Sequence, residues 1–200
     1  MADTLIRPAR PDEVWDILAW RNAPRVRQAM LTQHEIGRTE HQAWFERQLA
    51  NPQFRQMLVE HGSQPVAVQA FFNIRPDRSA WWAFYFTDAV PDDMAAMLKI
   101  WKWVELAGLA YAFETLRLDT LYCEVLRSNS GVLNWHKRFG FVACDPSFST
   151  NTASHDLEVL SLSRSAYDRL RTSRSGQDIA VVAMEPHPFD TPTSSQESHP

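Results

Sequence analysis

Thr120–Phe141, TLYCEVLRSNSGVLNWHKRFGF, decides how the rest of the chain is read. Apolar and polar residues alternate through Leu121–Leu126 in a β-rich composition, which predicts a strand with at least one buried face. Ser128, Asn129 and Ser130 then offer N-caps, and Val132, Leu133, Trp135, His136 and Phe139 follow at helical spacing. Gly140 stands where a left-handed residue would end that helix. Phe141-Val142-Ala143 begins another strand. A strand, a polar turn at the mouth of a helix and a glycine stop make a unit that can hold a ligand at the helix start.

Working outward, Thr4-Leu5-Ile6 is a short strand ended by Pro8. Asp12 can cap a helix that runs through Trp20 into Arg21-Asn22, and Pro24 breaks or kinks it. A second helix covers Glu40–Leu49. Gln53–Glu60 and Gln64–Ile74 read as strands joined by a hairpin, and Ala80–Phe86 is an aromatic third strand. The pattern from Met94 to about Leu116 is helical. Gly108 inside it marks a kink or a point of close approach, because a helix-interior glycine costs about 1 kcal/mol relative to alanine. Leu157–Leu162 reads as the final strand, with a helix capped by Ser163 after it. The domain is expected to span residues 1–171. Residues 172–200, rich in Ser, Pro and Thr, are expected to form a mostly disordered tail in which Ile179–Met184 is an apolar patch able to dock.

Two hundred residues favour one domain, large enough to bury roughly 70% of the unfolded chain's surface without staples. Cys123 and Cys144 are the only cysteines, so two reduced thiols are expected. No basic-then-apolar leader opens the sequence, and no apolar run reaches the roughly 20 residues that span a bilayer, so the expectation is a soluble cytoplasmic protein without membrane partners. A net charge of −4 gives no general attraction for nucleic acid. The seven His are scattered with no metal-ligand spacing, and no metal is expected.

The order Glu124-Val125, Asn129, Val132-Leu133, His136 and Arg138-Phe139-Gly140-Phe141 resembles the second half of the cofactor site of GNAT N-acetyltransferases. Trp20-Arg21-Asn22, Val26-Arg27, Met30, Ile36, His41 and Trp44-Phe45 resemble the N-terminal half of members that acetylate nucleotide-linked amino sugars, as in the pseudaminic acid pathway. The likeness covers about residues 4–170. It implies an α/β (α+β) GNAT fold, a mixed, mostly antiparallel sheet flanked by helices, with acetyl-CoA as cosubstrate. By this resemblance Asn129 contacts the pantetheine arm, and His136 stands where the family usually has a tyrosine that protonates the departing thiolate. The cosubstrate is expected between the Leu121–Leu126 and Trp81–Phe86 strands, with Tyr85, Phe86 and Leu126 as contacts.

Acetyl transfer needs an amine placed against the thioester, donors for the oxyanion and an acid for the thiolate. An imidazole with an ordinary pKa near 6.5 can carry that proton, so His136 is the leading catalytic candidate. Glu124, His34 and His41 are possible bases. Asn129 can bond an amide or simply cap the helix. Arg21, Asn22 and Arg27, with Met30, His41, Trp81 and Trp82, form the expected acceptor side, where arginine suits a nucleotide-sugar diphosphate; a solvated helix end is the alternative for the first three. For the tryptophans the alternative is core.

The family's glycine loop for the CoA diphosphate is missing. Pro91–Ala96 carries Asp92 and Asp93, which repel phosphate and make better N-caps. The other register offers Lys99 and Lys102 for phosphate but bulk in place of glycine. Three functions follow: an amino-sugar N-acetyltransferase, a GNAT-like binding or assembly protein without catalysis, or a protein N-terminal acetyltransferase. A homodimer is open in each.

Overall fold

The computed structural model describes residues 3–149 and 156–190. One eight-stranded sheet organises them, in the order β6-β7-β5-β4-β3-β2-β1-β8. The strands are β1 (Thr4–Pro8), β2 (Arg55–His61), β3 (Gln64–Phe72), β4 (Ser79–Phe86), β5 (Thr120–Leu126), β6 (Val142–Ala143), β7 (Leu157–Ser163) and β8 (Ala183–Met184). Neighbours run antiparallel except for the β4/β5 and β1/β8 pairs. The helices are α1 (Val14–Asn22), α2 (Pro24–Arg27), α3 (Arg38–Leu49), α4 (Met94–Ala110), α5 (Ser130–Arg138) and α6 (Arg164–Thr172).

The larger core lies between the sheet and α4, where Met57, Phe71, Trp82, Leu106 and Tyr111 are buried together. A smaller one, of Ile17, Phe45, Leu58 and Val68, lies under α1 and α3 on the opposite face. The expected helix to Leu116 stays α-helical only to Ala110 and widens into a π-turn over Tyr111–Thr115. The α-helix runs unbroken through Gly108. A Cβ there would meet Gln69 Oε1 and the Trp82 ring at 2.7 Å. The buried Gln69 amide donates to Val104 O (2.7 Å) and accepts from Trp82 Nε1 (3.2 Å), so neither neighbour can yield without losing a hydrogen bond. Gly108→Ala should therefore destabilise the fold by about 1–3 kcal/mol despite alanine's better helix propensity. Thermal unfolding of the variant checks this, and an unchanged or raised Tm would refute it.

Arg7 is another buried anchor, paired with Glu13 (2.6 Å) and Glu60 (2.7 Å). Glu13 is thus part of a turn of 3-10 helix before α1, where a cap by Asp12 was expected. The helix expected from Glu40 starts earlier, at Arg38, and the strand expected from Gln53 starts at Arg55 because Asn51–Phe54 forms a turn.

Part of the expected tail lies on the domain. Ile179 and Val182 are buried, Ala183 and Met184 pair with Leu5 and Ile6, and Arg55 Nε donates to Asp190 at 2.7 Å. The Ile179–Met184 patch thus docks in cis, for the ordinary reason that its apolar side chains find the open edge of β1. Residues 191–200 lie outside the described residues. No helix among the described residues is long and apolar enough to cross a membrane.

Candidate active site

The site begins with two strands that stop pairing. β4 and β5 run parallel and share a ladder only over Ser79–Trp81 and Thr120–Tyr122. Beyond it Trp82–Phe86 and Cys123–Leu126 diverge, so their facing backbone edges carry no ladder bonds to each other. A cleft of about 570 Å³ opens between them, closed above by Arg21–Thr32 and flanked by α4 and α5.

α5 aims the sequence's leading candidate into this cleft. Asn129 Oδ1 accepts from Val132 N at 3.4 Å and caps the helix, and Gly140, at φ +96°, ends it after Phe139. Between these ends His136 is 2% exposed and lines the cleft. The rings of Trp82, Phe84 and Phe141 surround it at centroid distances of 5.4, 5.9 and 5.1 Å. Its Nδ1 lies 2.8 Å from Oε1 of Glu105, a fully buried carboxylate on α4 whose Oε2 has no partner among the described residues. Sequence reading passed over Glu105. The signal was there: it is the only acid in the otherwise apolar or basic Met94–Ala110.

The roof supplies positive charge. Arg21 and Arg25 line the cleft. Arg21 Nη2 donates to Thr32 O (3.0 Å), whereas its Nη1 and Arg27 Nε are buried without hydrogen-bond partners among the described residues. Burial holds the Arg21 guanidinium below its ordinary pKa, the nearby Tyr85 oxygen opposes this, and Arg27 adds to the lowering. Tyr85 is raised by its own burial. Of the two unpaired donors only Arg21 Nη1 belongs to a residue that lines the cleft. Arg25 Nη2 donates to Thr87 O and faces Asp92 at 3.8 Å.

Of the residues expected from sequence, the cleft brings together His136, Glu124, Asn129, Tyr85, Phe86, Leu126, Arg21, Met30 and Trp82. Glu124 accepts from Ser149 Oγ at 2.7 Å. Other expected residues stand elsewhere. Asn22 is bonded both ways to the Ile36 backbone at 2.9 Å and ties the loop before α3. His41 is buried with Nε2 at 3.0 Å from Val14 O, and burial lowers its pKa. Trp81 is core, stacked on Phe72 and Tyr122. Lys102 pairs with Asp178 at 2.5 Å on the docked segment, and Lys99 is exposed outside the cleft. Arg27 contributes no lining surface to the cleft.

An extended thioester arm fits the wedge, because unpaired strand edges can bond its amides. Its diphosphate end is less well served. Asp93 Oδ1 accepts from Ala96 N (2.8 Å) at the start of α4, Asp92 is exposed beside it, and neither lysine lines the cleft. Among the described residues no group of His, Cys, Asp and Glu is arranged to hold a metal.

Neither a family model nor a curated protein sequence matches the chain. Solved structures do. The spermidine N-acetyltransferase from Vibrio cholerae, in complex with CoA and spermine, aligns over 84% of this chain and 99% of its own, with 15% identity and a TM-score of 0.68. The Campylobacter jejuni N-acetyltransferase PseH aligns over 81% and 99%, with 18% identity and a TM-score of 0.59. PseH in complex with acetyl coenzyme A aligns over 78% and 93%, with 19% identity and a TM-score of 0.57. The chain therefore has the fold of the GNAT N-acetyltransferases, as the Thr120–Phe141 segment led one to expect.

Proposed function

We propose that the chain is an acetyl-CoA-dependent N-acetyltransferase whose acceptor is an anionic, nucleotide-linked amino sugar. The observation that carries this reading is the position of His136, between the splayed edges of β4 and β5 and within a cleft roofed by Arg21. When bound, acetyl-CoA supplies an activated acyl carbon and a thiolate leaving group. Trp82–Phe86, Cys123–Leu126 and Asn129 would hold its arm, and His136 would protonate the sulfur. Excluding water around the imidazole strengthens each polar contact made there.

The guanidinium groups of the roof favour an anionic acceptor over a polyamine, although one of the structural neighbours cited is named for spermidine and is in complex with spermine. Arg21 could pair with a diphosphate through its free Nη1. Arg21→Ala should raise KM for a nucleotide-linked amino sugar about 10- to 100-fold, as expected for losing a charged hydrogen bond of about 1.5–3 kcal/mol, with acetyl-CoA affinity unchanged. Steady-state kinetics in both substrates checks it, and an unaltered acceptor KM would remove Arg21 from the acceptor site.

One observation favours a second reading, a GNAT-like binding protein without catalysis: the carboxylates of Asp92 and Asp93 stand at the start of α4, where the diphosphate cradle would be. Calorimetric titration with acetyl-CoA and CoA separates the two. Micromolar binding, followed by thiol release with UDP- or dTDP-linked amino sugars and none with spermidine, supports the proposal. No binding up to millimolar concentration by folded protein would overturn it.

A further inference from the structure

We infer that Glu105 is a positioning residue, holding His136 with Nδ1–H bonded to the carboxylate and Nε2 free toward the cleft, so that the imidazole serves as base to the acceptor amine before it serves as acid to the sulfur. The transfer step rests on the acetyltransferase reading; the arrangement of the pair does not.

Taken as ionised, the Glu105 carboxylate only accepts, and the nitrogen 2.8 Å from Oε1 then carries the proton. A neutral imidazole has one N–H, which leaves Nε2 with its lone pair. No group among the described residues bonds Nε2, and three aromatic rings limit how far the ring can turn. The pair joins residues 31 apart in sequence across α4 and α5, with side-chain exposures of 0% for Glu105 and 3% for His136. A core built only for stability would be better served by leucine at position 105, since burying a carboxylate with one oxygen unpaired is costly. The same carboxylate stabilises an imidazolium once the ring has taken a proton.

The step balances within the site. The amine nitrogen bonds to the acetyl carbon as its proton passes to Nε2. The carbon–sulfur bond breaks with its electron pair going to sulfur, and the proton on Nε2 passes to that sulfur. His136 ends as it began, and amine and acetyl thioester have become amide and thiol.

Two measurements test the inference. The first uses the full chain labelled with ¹⁵N-histidine at about pH 8, above the ordinary imidazole value. Two-bond ¹H–¹⁵N spectra should show His136 with Nδ1 protonated and Nε2 bare, its signal identified among the seven histidines by its loss in His136→Gln. Glu105→Gln, whose amide can present either C=O or NH₂ to the ring, should give mixed tautomers. The second measurement is kinetic: the same variant should lower kcat roughly 10²-fold and leave KM for acetyl-CoA within about two-fold. A bare Nδ1 in the wild-type chain, or a folded Glu105→Gln with unchanged kcat, overturns the inference. Should that variant not fold, the wild-type spectrum decides alone. A wild-type protein that acetylates no amine removes the acetyltransferase reading and the transfer step with it, while the spectrum still decides whether Glu105 orients the ring.

Discussion

His136→Ala is expected to lower turnover by about 10²–10⁴-fold, the usual worth of a positioned acid or base, with acetyl-CoA affinity changing far less. The split follows from where the ring sits. His136 faces the cleft from α5, whereas the contacts proposed for the cosubstrate's arm belong largely to the edges of β4 and β5. The substitution also strands Glu105, a fully buried carboxylate, and leaving a buried acceptor without its donor costs about 1–3 kcal/mol. The rate should therefore be measured on protein shown to be folded, and beside a double variant carrying Glu105→Leu, which removes the stranded charge. Both should be similarly slow. A single variant that turns over at the wild-type rate would take His136 out of the chemistry.

The largest expected effect on stability lies outside the cleft, at Asp190. Its carboxylate accepts from Arg55 Nε (2.7 Å), from the Tyr111 hydroxyl and from His187 N (2.9 Å). Arg55 is buried, and without Asp190 it keeps the carbonyls of Pro52, Phe54 and Phe189 but has no carboxylate paired with it among the described residues. Asp190→Ala should cost about 3 kcal/mol, the lower end for breaking a buried pair because those carbonyls remain. In a chain of this size that lowers Tm by about 6–12 °C. A drop under about 2 °C would show that the contact adds little. Acid should loosen the same place. Burial, and then the Arg55 charge, push His187 down to about 4, partly opposed by Asp190. The folded chain therefore holds this imidazole neutral while the unfolded chain takes up a proton at its ordinary value near 6.5. This contribution is complete above about pH 6.5 and is lost progressively as pH falls toward 4. Hydrogen exchange of Ala183–Met184 at pH 7 and pH 5 measures it directly.

Much of the fold was legible because its elements are short and strongly patterned. Leu121–Leu126 alternates cleanly, Asn129 and Gly140 bracket one helix, and the Pro91–Asp93 segment ends with the cap of another. What escaped was mostly decided by tertiary contact. Asn22 and His41 carry side chains that suit a binding site, yet both are bonded to backbone carbonyls of neighbouring segments, which no spacing rule reveals. Glu105 was hidden in the opposite way: its helix gave the expected pattern, and the one acid inside it was not singled out. Lys102 looked suited to phosphate, but the segment taken for a tail brings Asp178 to it.

That segment also settles how the sheet ends. Among the described residues both outermost strands, β6 and β8, are two residues long. A long bare strand edge is a template on which another chain can add, and very short outer strands are a common way of denying it. β8 occupies the flank of β1 at Leu5 and Ile6, and Glu185 N continues the cover by donating to Ile6 O at 2.9 Å. A second copy could therefore add its own strand along Leu5 and Ile6 only after peeling Ala183–Met184 away.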